Sequence, residues 1–115
     1  MTTEPVPVET AIRHVYVLIC ADLEIRHQLV QACHASIEAG QKYIKHECPY
    51  LVACTVPCER SLWQWSERLT AAGIEHSVFR EADMGDRATA LVTRDLSNEE
   101  RETLKGLPLY RRTRQ

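Results

Sequence analysis

Residues 14–21 read His-Val-Tyr-Val-Leu-Ile-Cys-Ala, and residues 25–37 continue Ile-Arg-His-Gln-Leu-Val-Gln-Ala-Cys-His-Ala-Ser-Ile. The first run is short, rich in β-branched residues and apolar at both parities. A strand that is apolar on both sides is covered on both faces, as in the middle of an α/β sheet. In the second run Ile25, Leu29, Cys33 and Ile37 recur every four residues, with Ile44 further on. That spacing marks one face of a helix over about 24–45, with Asp22 placed to cap it and Gly40 a point where it breaks.

Working outward, Pro49 stops the helix and Tyr50–Val56 reads as a second strand ended by Pro57. Residues 59–72 carry Leu62, Trp63, Trp65, Leu69 and Ala72 among polar residues, and Gly73 follows, so an amphipathic helix with a glycine stop is expected. Glu75–Glu81 and Ala88–Thr93 are strands three and four around the turn Asp83-Met84-Gly85-Asp86. Ser97 stands three residues before Glu100, the reciprocal capping spacing, and opens a short helix that Gly106 and Pro108 end. The order β-α-β-α-β-β-α predicts a compact three-layer α/β/α sandwich on a mixed sheet. The helical crossovers make the first strands parallel, and the short turn makes strand 4 antiparallel. Residues 1–12, with Pro5 and Pro7, are expected to be a flexible tail, 13–110 the domain, and 111–115 a basic tail.

The chain has 115 residues, 44% hydrophobic and 26% charged, which is ordinary for one globular domain and excludes a low-complexity scaffold. The apolar runs fall short of the roughly 20 residues that span a bilayer, and the acidic, Pro-bearing start does not read as a leader. A cytoplasmic protein without a membrane partner is the expectation. A net charge of −2 excludes a wholesale electrostatic grip on nucleic acid but allows a local basic patch, as in Arg111, Arg112 and Arg114. Five cysteines, an odd number, suggest reduced thiols, with Cys20 and Cys33 acting as small hydrophobes in apolar patterns. His46, Cys48, Cys54 and Cys58 do not have paired zinc-ligand spacing, so no metal is expected. The four glycines are scattered, so no phosphate loop and no nucleotide cofactor are expected either. Trp63 and Trp65, two apart, cannot share one helix face; an exposed one would suit a homodimer anchor.

His27, Gln31 and His34 fall on one side of the first helix, beside its apolar stripe. The helix follows strand 1 directly, and the carboxyl ends of parallel strands open onto the ligand crevice of an α/β sheet. Helix N-terminal amides near His27 favour anionic groups. Glu81 ends strand 3 at the same rim, where a carboxylate can act as general base or orient an imidazole. The plainer alternatives are a satisfied core His34, a solvated His27 and ordinary surface acids in the turn.

Tyr16–Leu23 followed by Gln31-Ala32-Cys33-His34-Ala35-Ser36 resembles the start of the type II peptidyl-tRNA hydrolase family, with its Gln-x-x-His-Ala helix. The likeness covers about residues 13–110. It implies a four-stranded sheet in the order 2-1-4-3 and metal-free hydrolysis of the ester between a peptide and the terminal ribose of tRNA. Gln31 and His34 match the family; His27 aligns with its Lys and Glu81 with its Asp, while the family's Thr has no counterpart. The sequence looks closer to a divergent branch of hydrolase-domain-containing proteins with Gln-Ala-Cys-His and a Glu at the strand end. The resemblance thus implies Glu81, His27 and His34 as catalytic groups, Gln31, Asp22 and Arg87 as substrate contacts, no cofactor, and tRNA or a related RNA end as partner. The alternative is a non-catalytic RNA-, nucleotide- or protein-binding module of the same fold.

Overall fold

A computed structural model describes residues 12–45 and 47–111. The N-terminal tail, apart from residue 12, His46 and all of the basic tail beyond Arg111 lie outside the described residues. Strand β1 is His14–Cys20, helix α1 Ile25–Lys42, β2 Tyr50–Val56, helix α2 Glu59–Ala71, β3 His76–Glu81 and β4 Arg87–Thr93. Short 3-10 turns occupy Ala82–Met84 and Glu100–Leu104. The sheet runs β2-β1-β4-β3, with β1 and β2 parallel and β4 antiparallel to both its neighbours. The mixed α/β sheet and its order are those expected.

Alternation along β1 sorts the core into two. Tyr16, Leu18 and Cys20 join Leu62 and Leu69 of α2 on one face, together with Leu91, Leu96 and Leu104. Val15, Val17 and Ile19 join Ala35 and Ala39 of α1 on the other, with Ala90 and Val92. The two helices therefore flank the sheet, giving three layers. Helix α2 ends as expected: Gly73 takes a φ of 74° and Ile74 N–H reaches back to the Leu69 carbonyl at 2.9 Å.

Four expectations change. Helix α1 runs unbroken through Gly40. Glu24 stands at its N-cap without a side-chain bond, and Asp22 does not cap it; the helix start is tied instead by Gln28, whose amide donates to the Leu23 carbonyl at 2.6 Å. The stripe Ile25, Leu29, Cys33, Ile37 is exposed, and the face packed on the sheet is Gln28, Gln31, Ala35 and Ala39. Small side chains there let the helix lie close over Val15, Val17 and Val92. Cys33 is thus not a core residue, whereas Cys20 is. Last, the short helix after Ser97 is 3-10, although its capping pair forms: Glu100 N–H to Ser97 Oγ at 3.3 Å and Ser97 N–H to Glu100 Oε1 at 3.1 Å. Trp63 and Trp65 are both half-buried, with Arg80 over the first ring and Arg68 over the second.

Beyond this turn the chain returns to the sheet. Thr55 N–H donates to the Pro108 carbonyl at 3.1 Å and Tyr110 N–H to the Ala53 carbonyl at 2.7 Å, so residues 108–110 cover part of the β2 edge.

Glu100 also bonds Arg94, with Nη2 to Oε2 at 2.8 Å, and this holds its carboxyl at about 2. The contribution is present above the ordinary carboxylate range and is lost as the pH falls from there toward 2. Glu100→Gln should flatten the acid limb of the stability curve between about pH 4.5 and 2, measured by urea unfolding at stepped pH.

Candidate functional site

The site is built where β3 ends. Gln31, 2% exposed, lies on the sheet-facing side of α1. Its Nε2 donates to Glu81 Oε2 at 3.0 Å, and its Oε1 accepts from Thr89 Oγ1 at 2.9 Å. A buried amide with both ends satisfied fixes its own orientation and that of its partners. The other Glu81 oxygen accepts from Asp83 N–H in the 3-10 turn, at 3.3 Å. The Gln31 bond first, then the Asp83 amide, hold the Glu81 carboxyl below its ordinary range.

Thr89 gets to Gln31 through an irregularity. Phe79 pairs with Ala90 but Arg80 with Ala88, so the register passes over Thr89. A bulge of this kind turns a side chain out of the ordinary alternation, here onto the α1 side. Phe79, on that side too, carries the ring of His34 stacked at 5.0 Å with planes 5° apart. His34 is exposed and is no satisfied core histidine, while His27 is half-buried. The structure therefore brings Gln31 and Glu81 into contact and seats His34 on Phe79, two residues before Glu81, while His27 lies one turn before Gln31 on α1, outside the hydrogen bonds of the Glu81 carboxylate.

Asp22 and Arg87 meet each other instead. Their side chains form an ion pair between the end of β1 and the start of β4. Arg87 also lies against the Cys20 thiol, which burial pushes up to about 11. Two further groups gather on this α2 side: Cys58, which the sequence raised only as a metal ligand of unsuitable spacing, and Glu59, which it did not single out. Cys58, at the N-cap of α2, has its thiol lowered, first by the Ser61 backbone amide. Glu59 accepts from Ala88 N–H at 3.0 Å and Trp63 Nε1–H at 3.3 Å, and the Ala88 amide lowers its carboxyl. A thiol just before a helix was the signal for Cys58; nothing in the sequence distinguished Glu59 from an acid that complements the helix dipole.

No group of three or more His, Cys, Asp or Glu with metal-binding geometry occurs among the described residues. No helix among them is long and apolar enough to cross a membrane. An open cavity of about 830 Å³ follows the outer flank of α2 past Glu59, Trp63 and Thr70, and it shares no residue with the Glu81 cluster. Size alone would favour that groove. The Glu81 cluster holds the convergent polar groups, which are the better guide to chemistry.

No family model and no curated protein matches the chain. Among solved structures, a protein of unknown function from Agrobacterium tumefaciens is similar, with a TM-score of 0.65, 13% identity, and coverage of 86% of this chain and 98% of that one. At that identity the likeness is one of fold.

Removing the amide should release the carboxylate. In Gln31→Leu the Glu81 titration, followed by carboxyl carbon NMR, should move up toward the ordinary range, and Thr89→Val should move it less. Thiol labelling at neutral pH should modify Cys58 well before Cys20 and Cys54, the two that burial protects.

Proposed function

We propose that the rim around Glu81 is a metal-free ester-hydrolysing site of the peptidyl-tRNA hydrolase kind, acting on an acyl ester at an RNA end. The observation that carries this reading is the Thr89–Gln31–Glu81 chain of hydrogen bonds, which aims a carboxylate at the sheet rim on the side of α1 that carries His27 and His34. Glu81 would accept a proton from the attacking water. A ring N–H of His27, close to the first turn of α1, would donate to the oxygen on which charge develops. His34, flat on Phe79, offers its outer face to a base or sugar of the substrate. Gln31 positions the base and does not touch the reacting atoms.

The same geometry bears on rate. A carboxylate stabilised by two donors is a weak base, so turnover should be slow. That feature also favours a second reading, a binding module that uses Glu81 to accept hydrogen bonds from an RNA end without cleaving it.

Peptidyl-tRNA turnover by the wild type, Glu81→Gln and His27→Ala separates them. Hydrolysis requires wild-type turnover above buffer, a drop of about 100-fold or more in Glu81→Gln and a smaller drop in His27→Ala. Buffer-level rates in all three, with tRNA binding that weakens steeply with salt, would leave the binding module.

A further inference from the structure

The side of α1 turned away from the sheet is apolar where solvent is expected. Ile25 is 57% exposed, Leu29 66%, Val30 47% and Ile37 61%, with exposed Cys33 at their centre. Between them these residues make a patch on the order of 400 Å², within the range of the largest apolar patch on a typical monomer, which is often functional. The face holds no acid. At about 100° per residue, Glu38 and Lys42 turn toward β3, where Lys42 binds Glu38 at 2.6 Å and Ser77 Oγ at 3.3 Å. Arg26, paired loosely with Glu24 at 3.7 Å, is the one charge on the stripe.

We propose that this face is the interface of a homodimer in which two α1 helices pack antiparallel about a two-fold axis passing at Cys33. An isologous contact needs a surface that complements itself. An axis at residue 33 sets residue 33 − k of one helix opposite residue 33 + k of the other. Leu29 then meets the partner's Ile37, apolar against apolar. Val30 meets the partner's Ser36 and Arg26 the partner's Gly40, large against small in both cases. Gly40 lacks a reason within the protomer: it lies inside α1, and an added Cβ there would meet nothing within 4 Å. A glycine in a helix interior costs about 1 kcal/mol relative to alanine, and a bare backbone there gives the Arg26 stem room to lie across it.

Charge selects the orientation. Antiparallel packing brings the Arg26 guanidinium to the C-terminal end of the partner's α1, where backbone carbonyls and the helix dipole favour a cation. Parallel packing would put Arg26 against Arg26. Two copies bury on the order of 800 Å² from the apolar side chains alone, and flanking groups bring the contact to the roughly 1,000 Å² that a specific interface requires. None of the three α1 residues assigned to the candidate site, His27, Gln31 and His34, is part of this stripe, so the proposed interface does not use the site's own side chains.

Sedimentation equilibrium of the full chain from 1 to 200 µM tests this, together with a short bis-maleimide that joins two thiols only when they are close. Expected are a dimer, one dominant cross-linked product that Cys33→Ser abolishes and Cys48→Ser preserves, and a dissociation constant raised at least about 30-fold in the double variant Leu29→Glu/Ile37→Glu. Both changes are on the surface, and circular dichroism of the variant checks that the protomer remains folded. Arg26→Glu should weaken the dimer as well. A monomer across the whole range, a dimer indifferent to the double variant, cross-linking through Cys48, or a dimer strengthened by Arg26→Glu would each overturn the proposal.

Discussion

One buried amide organises the rim of this sheet. Gln31 has no water to satisfy it, so its donor and acceptor must both be met by protein, and Glu81 and Thr89 meet them. The three residues come from α1, β3 and β4, so the network ties a helix to the end of an edge strand and to a bulge in the strand beside it. A packed apolar contact at this position would resist separation of the layers but would leave the carboxylate free to choose among rotamers. The amide, with its two ends chemically distinct, accepts one arrangement only. Glu81 is directed because Gln31 is buried.

Around that node the rim divides in two. On the α1 side the polar groups converge on the Glu81 carboxylate, with the His34 ring stacked on Phe79 nearby. On the α2 side they satisfy each other: Asp22 with Arg87, Glu59 with the Ala88 amide and the Trp63 indole. Pairs of this kind hold neighbouring elements together, although the buried Arg87 Nε is left without a hydrogen-bond partner. The exposed ring of His34 has no such partner beyond the face of Phe79. That contrast, more than cavity size, separates the part of the rim that can meet a ligand from the part that holds the fold.

Much of this was legible in the sequence. Short β-branched runs located β1 and β2, Pro49 and Pro57 bounded β2 because proline has no N–H to continue a helix or ladder, and Gly73 marked the end of α2 because it takes the left-handed cap without a Cβ penalty. The strand order came from the family resemblance and not from pattern, which says nothing of which strand a hairpin joins. Glu81 and Gln31 were placed at one rim by topology alone. Thr89 was invisible, since a bulge is a property of register between two strands and leaves no mark on one of them. Helix α1 was located well and turned the wrong way. Hydrophobic periodicity assumes that large apolar side chains face the core, but the sheet beneath α1 admits alanine, and the larger residues were left outside. The pairing of residues 108–110 with β2 was likewise hidden, because Pro108 reads as a strand breaker; at an edge only its carbonyl is required.

The strand order carries a cost in time. β4 is the last element to leave the ribosome apart from the terminal 3-10 turn, yet it lies between β1 and β3, and its pairing of Val92 with Val17 joins nearly opposite ends of the domain. Until β4 arrives, β1 can pair only with β2, and β3 has no neighbour at all. Such distant closure slows folding, since chain entropy must be lost before the contacts that offset it can form. A nascent chain of this protein therefore carries an unfinished sheet for most of its synthesis, and its apolar strands are shielded only when the last quarter of the domain has emerged.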